Sequence, residues 1–380
     1  MARTGGYGGT NAEERMGPVL HARRLAGVAV LTCLLLCSPF PGPGGSDRPG
    51  YAKPAAAAKT LNSGSFKAGL APAGVPREAW RDLQVLAETQ RKAGLSPAVQ
   101  AGKVTCNAAG CSRQIGARLE LWNADTGAHL VRDAVHRVWN TPEGASLGFP
   151  IRSEYPHGNG FRTDFQNGSL MYDPVTGRVM SVVPGVDESA LVIGDSQTSI
   201  KTWVGQGLVQ AGYRPILRGA NGTGFAHGNG TVSAYAQALE SHQWLLPWGE
   251  PALIILQGGG NDTAHSAAEI QSGARRLISD VRQSYPSARI LMVGVIGDGT
   301  GPRKDVDRLL AATAAEAGLE FLSPGDWWAR YGLNGAMRPD GRHLSPEGHA
   351  RTAGVFAREL ERIAPVDSGF SSGRPARALQ

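Results

Sequence analysis

Lysine is scarce in this chain. Only Lys53, Lys59, Lys67, Lys92, Lys103, Lys201 and Lys304 stand among its 38 basic residues, so arginine carries most of a net charge of +6. No run of Lys or Arg is interleaved with aromatics, and a nucleic-acid surface is not expected. Cysteine is nearly absent: there are four in 380 residues. No second Cys or His pair joins them at ligand spacing, so the sequence offers no four-ligand zinc site. No GxxxxGK[ST] run follows an apolar strand, which excludes a P-loop. The longest apolar run, residues 25–37, is short of the ~20 residues that a membrane span requires.

What is present begins with that run. Arg23 and Arg24 precede it and Pro39 to Gly42 follow, the layout of a secretory signal, with a retained signal-anchor as the alternative. Residues 1–45 are read so, and the chain is expected to be secreted or held at the cell envelope. Residues 46–75, rich in Pro, Gly and Ala, read as a disordered linker, and residues 366–380 as a disordered tail. Cys33 and Cys37 fall inside the apolar run. Cys106 and Cys111 remain, and in an oxidising compartment two nearby cysteines are expected to pair.

Residues 76–92 predict a short helix opened by Pro76. Behind it lies an internal repeat. Trp122-Asn123 and Thr126-Gly127 align with Tyr172-Asp173 and Thr176-Gly177, each a strand followed by a turn closed by glycine. From Ser189 the pattern changes. Apolar runs of four to seven residues near 190–194, 252–256 and 290–296, with short strands at 215–217 and 320–322, alternate with helices expected at 199–211, 231–244, 266–285, 304–317 and 345–363. Buried parallel strands joined by helical crossovers make a three-layer, doubly wound α/β sheet of about five strands. Such sheets place their sites at the carboxyl ends of the strands.

Four elements fall at those ends. Gly194-Asp195-Ser196 follows the first strand, where the serine is expected at a helix N-terminus that favours developing negative charge; taken alone it reads equally well as a helix cap. Asn221 to Gly224 follows the second strand and is otherwise an ordinary turn. Gly258-Gly259-Gly260-Asn261-Asp262 follows the third; three glycines carry a backbone-entropy cost that suggests close approach, and the Asn261 amide can donate to an oxyanion. Asp340-Gly341-Arg342-His343 precedes a helix capped by Ser345 and Pro346. A serine hydroxyl needs a base, and a carboxylate three residues away can orient that base. His227, His242, His265 and His349 read as surface or structural, His265 lying near Asn261. Trp327 and Trp328 read as core.

In that order the four elements resemble the blocks of the SGNH, or GDSL-type, serine hydrolases over residues 187–365. The resemblance implies an esterase in which Ser196 is the nucleophile, His343 the general base and Asp340 its partner. Its oxyanion donors are the Ser196 amide, the Gly222 amide (Gly224 the substitute) and the Asn261 side chain. It implies two-step acyl transfer with no metal or cofactor. Gln197 departs from the small or apolar residue usual after the serine. Leu147-Gly148-Phe149-Pro150, Gly160, Phe165, Gly168 and Thr176-Gly177 resemble the LGFP repeat of bacterial cell-surface proteins. Residues 76–186 are accordingly read as a small β-rich module, able to bind wall polysaccharide or merely to space the enzyme from the wall. An acyltransferase to sugar hydroxyls and an envelope-binding protein with a secondary hydrolase domain are the alternatives. A chain beginning near Ser189 holds every catalytic element and is expected to fold alone.

Overall fold

The computed structural model describes residues 69–94, 101–341 and 343–364. The expected leader, residues 46–68 of the linker and the C-terminal tail lie outside them. No helix among the described residues is long and apolar enough to cross a membrane.

Helix α1 (Arg77–Lys92) buries Ala79 and Leu83 against Val104, Cys111 and Trp122. The Trp122 indole donates to Asp82 at 3.0 Å. Two four-stranded antiparallel sheets follow. The first runs β1 (Thr105–Cys106), β2 (Cys111–Ile115), β3 (Arg118–Asn123) and β4 (Gly127–Arg132). The second runs β5 (Tyr155–His157), β6 (Gly160–Phe165), β7 (Gly168–Tyr172) and β8 (Val179–Ser181). Between them lie α2 (Asp133–Trp139) and α3 (Pro142–Ala145). Cys106 and Cys111 are register partners on β1 and β2 and are joined by a disulfide.

The internal repeat corresponds to the β3–β4 and β7–β8 turns. Asn123 accepts from the Asp125 amide and Asp173 from the Val175 amide, each at 2.9 Å. Gly127 and Gly177 then take φ of +80° and +71°, which glycine adopts without a Cβ penalty. Leu119, Leu121 and Val131 of the first sheet share one core with Phe165, Leu170 and Val179 of the second.

The third sheet is parallel, with strand order β10–β9–β11–β12–β13. Its strands are β9 (Ser189–Gly194), β10 (Arg214–Gly219), β11 (Leu253–Gln257), β12 (Ile290–Val293) and β13 (Glu320–Leu322). The pleat sends Leu191, Ile193, Ile254 and Leu256 to one face, under α5 (Tyr235–Glu240), α6 (Ala267–Ser284) and α7 (Gly301–Glu316). Ala190, Val192, Leu253 and Ile255 go to the other, under α4 (Trp203–Gln210), α8 (Trp327–Tyr331) and α9 (Pro346–Ile363). Apolar residues at both parities bury both faces, which is why these strands read as continuous apolar runs. The chain leaves β9 toward β10 on one side and returns to β11 on the other, so the order reverses at β9, where ligand crevices open in doubly wound sheets.

Several elements differ in extent from the sequence reading. The helix expected at 231–244 shrinks to α5 because Asn229 accepts from the amides of Thr231 and Val232, and Gln243 from that of Ser233, holding the preceding segment as a loop. Strand β12 stops at Val293 because the Val295 amide turns to the Asp307 carboxylate at 2.8 Å.

The β-rich region and the parallel-sheet region do not pack as separate bodies. Met180 and Val186 are buried in the core of the parallel sheet, while Leu245 is buried among the residues of the two small sheets. Ser181 forms a parallel bridge with Pro247: its amide donates to Leu246 (2.9 Å) and its carbonyl accepts from Trp248 (2.8 Å). A Cβ on Gly160 of β6 would meet the Trp248 ring at 2.9 Å. A chain cut at Ser189 therefore loses part of the hydrolase core as well as a neighbour.

Candidate active site

Beyond β9 the backbone turns at Asp195-Ser196-Gln197. The Asp195 carboxylate accepts the Gln197 amide at 2.9 Å and the Asp195 carbonyl accepts the Thr198 amide at 3.0 Å. Thr202 then holds the next turn through the Gln197 carbonyl and the Ser199 amide. Helix α4 begins at Trp203, so Ser196 stands on this loop rather than at the helix N-terminus that the sequence suggested. Its hydroxyl lies 3.5 Å from the side-chain carboxamide nitrogen of Gln197.

Ser196, Gln197, Asn261 and His343 line one cavity of about 100 Å³ with Asp195, Gly260, Ile296 and Arg303. Ile296 is the only large apolar side chain among the described residues that line it. His343 Nδ1 lies 2.9 Å from Asp340 Oδ2, and Asp340 Oδ1 accepts the His343 amide at 2.9 Å. The loop carrying both is closed by the bridge of Met337 with Leu344 and by the Arg338 amide on the His343 carbonyl, 2.7 Å. Ser345 caps α9 by accepting the Gly348 amide. No hydrogen bond joins Ser196 to His343 among the described residues; the cavity lies between them.

Asn261 is placed by the glycine run. Gly258 and Gly259 take φ of +147° and +105°, and a Cβ on Gly258 would strike the Tyr235 hydroxyl, so only glycine fits the turn. Asn261 Nδ2 donates to the Thr223 carbonyl at 2.9 Å, leaving its second N–H for another acceptor. The buried Asp262 carboxylate accepts the amides of Phe225, Ala226 and His227, each at 2.9 Å, pinning the loop after β10 to the loop after β11. His227 and His265 meet at 3.0 Å across the same two loops. Gly222 has φ +74°, and its amide makes no hydrogen bond among the described residues, but it is outside the cavity lining. The Gly224 amide is engaged with the His227 carbonyl.

His349 accepts the Trp203 amide at 3.2 Å and burial holds its ring below the ordinary imidazole value. Trp327 and Trp328 are core residues. Arg303, in the first turn of α7, was not singled out from sequence, where no motif marks it. It donates to the Ile296 carbonyl at 3.1 Å and faces Asp195 across the cavity. Burial raises the Asp195 carboxyl to about 6, with the Gln197 amide and the Arg303 charge opposing the rise.

Residues 185–351 match the GDSL-like Lipase/Acylhydrolase family and residues 147–185 match the LGFP repeat. No curated protein sequence matches the chain. Among solved structures it is similar to Est24, a carbohydrate acetylesterase from Sinorhizobium meliloti, at 22% identity and a TM-score of 0.38, over 46% of this chain and 99% of that one. The native aryl esterase of M. smegmatis aligns at 19% identity and 0.37, over 46% and 99%. A catalytic mutant of Axe2, an acetylxylan esterase from Geobacillus stearothermophilus, aligns at 16% identity and 0.38, over 46% and 95%. The C-terminal part of the chain is a GDSL-like acylhydrolase domain, that of a carboxylic ester hydrolase, and an LGFP repeat precedes it.

Proposed function

We propose that this ester hydrolase works through Ser196, His343 and Asp340 and removes short acyl groups, acetyl foremost, from a glycan outside the cell. The observation that carries the reading is the single small cavity on which Ser196, Asn261 and His343 converge, with Asp340 on the far ring nitrogen of His343. With its Nδ1–H donated to Asp340, His343 presents Nε2 as the base. Ser196 Oγ attacks the ester carbonyl carbon as its proton passes to Nε2, and the bond to the alcohol oxygen breaks as that proton passes on to it. Water then deacylates Ser196 by the same route. The developing oxyanion is received by the free Asn261 N–H and by the Ser196 amide, and the Gly222 amide, outside the cavity lining in the present structure, is the third donor only if its loop moves in on substrate. A serine–base hydrogen bond is often long before substrate binds, in keeping with the present separation.

Cavity size and lining favour a small acyl group. About 100 Å³ walled mostly by polar side chains holds an acetyl group but gives no apolar channel for a long chain. A second cavity of about 290 Å³ shares Arg303 and is lined by Phe321, Asp298, Lys304 and Asp326. One aromatic face among hydrogen-bonding groups suits a sugar as the alcohol part. The LGFP repeat and the basic, leader-like N-terminus support a place at the cell envelope, with wall polysaccharide as the repeat's partner. The test is a chain-length series of 4-nitrophenyl esters beside acetylated oligosaccharides. Turnover is expected to fall steeply from acetate to octanoate, and a preference for octanoate rejects the proposal.

A further inference from the structure

A cleft of about 240 Å³ opens where the LGFP repeat meets the hydrolase, and no part of the proposed catalytic machinery lines it. The repeat contributes the turn at Thr176 and Arg178, and the hydrolase contributes Glu240, His242, Trp244 and Gln283. His242 is the one non-glycine among the described residues with left-handed backbone, at φ 59°. It follows the Ser241 cap of α5, the position where helices ordinarily end on glycine. A side chain kept there at a backbone cost points to a use for that side chain. The structure gives it no internal one: the half-buried imidazole makes no hydrogen bond among the described residues. Neither does the indole N–H of Trp244, a side chain more than nine-tenths buried on the same cleft.

The charges around the cleft are already compensated. Arg178 pairs with Asp280 at 2.8 Å and Glu240 with Arg276. Burial, with Arg137 and Arg178 nearby, holds the His242 ring below its ordinary value, so at neutral pH it offers one donor and one acceptor. What remains is a polar rim of imidazole, indole N–H and carboxamide over the apolar side chains of Met180 and Leu246. A pyranose ring has the complementary surface, with hydroxyls at its edge and C–H groups on its face.

We propose that this cleft binds a neutral saccharide unit, with His242 and Trp244 as its hydrogen-bonding anchors and Arg178 and Gln283 at its rim. The site belongs jointly to the repeat and the hydrolase and holds the polymer away from Ser196. It rests on the glycan reading above only for the identity of the polymer.

The experiment titrates the full chain calorimetrically with chitotetraose, maltotetraose and solubilised wall glycan strands. Wild type is expected to bind at least one of them saturably. His242→Gly keeps the backbone conformation and removes the imidazole, so it is expected to weaken that binding at least tenfold while its Tm stays level or rises. Gln283→Ala is expected to weaken it less. Saturable binding to wall strands but to neither tetrasaccharide supports the site and assigns it to the polymer. No saturable binding by wild type to any of the three overturns the proposal, as does His242→Gly binding like wild type. Hydrolysis of 4-nitrophenyl acetate by wild type, read separately, reports on the esterase reading and not on the cleft.

Discussion

Asp195 sits one residue before the proposed nucleophile, almost fully buried, with its carboxyl raised from 3.8 to about 6. A raised folded-state value means that the folded protein holds this proton more tightly than the unfolded chain. The corresponding stability is whole below about pH 4 and is lost as pH rises through about 6. At about 1.4 kcal/mol per pKa unit the loss is about 3 kcal/mol at pH 7. Asp195→Asn removes the ionisation and keeps an oxygen for the Gln197 amide. The Gln257 side chain, whose amide lies within hydrogen-bonding reach of the carboxylate, can turn its oxygen to the new NH₂ group. The variant should match wild type near pH 4 and become more stable by up to about 3 kcal/mol above pH 7. Urea unfolding of both proteins at five values from pH 4 to 8 measures this difference. A pH-independent difference, or wild type gaining on the variant as pH rises, refutes the reasoning. Turnover of the variant is expected to fall, because Arg303 loses the charge that it faces across the cavity.

Ser196→Ala and His343→Ala should each lower kcat by about 10⁴, and Asn261→Ala by about 10²–10³; most of the activity surviving either triad substitution would move the catalytic assignment elsewhere. A chain starting at Ser189 gives up the burial of Met180 and Val186, about 1.5–3 kcal/mol each. It should be less stable than the full chain by about 3–6 kcal/mol in denaturant; equal stability would show that the shared core contributes nothing. Breaking the short Cys106–Cys111 ring should cost about 2 kcal/mol, and two reactive thiols in non-reduced, denatured protein would show that the bond does not form.

The parts of this fold that could be read from sequence were those encoded by neighbouring residues. Leu191 to Gly194 and Leu253 to Leu256 are apolar at both parities, which only a strand covered on both faces tolerates. The Asn123 and Asp173 turns carry their own hydrogen-bond acceptors and closing glycines, so the repeat was visible despite few identities. Asp340 and His343 share one loop, and their contact follows from three-residue spacing. Arg303 had no such signal: it reaches the cavity only because the first turn of α7 folds against the loops after β9 and β11, a matter of tertiary placement. Ser196 lay farther from its helix than expected because Thr202 side-chain bonds stabilise an extra turn. The joint core of repeat and hydrolase was hidden for the same reason as Arg303, since Ser181 and Pro247 are brought together by the folded chain and by nothing in their local sequence.

That bridge at Ser181 also bears on how such a chain can be rebuilt. Two sequence families abut at residue 185, which invites a cut there and the grafting of a different surface module. The backbone does not respect the seam. Removing the repeat leaves the Leu246 carbonyl and the Trp248 amide without their Ser181 partners and strips Trp248 of its packing against Gly160. A graft that preserves the hydrolase would have to bring its own short strand in register with residues 246–248 and an apolar residue to fill the place of Met180. The repeat is therefore less a detachable tether than a missing edge of the enzyme, supplied from its own N-terminal side.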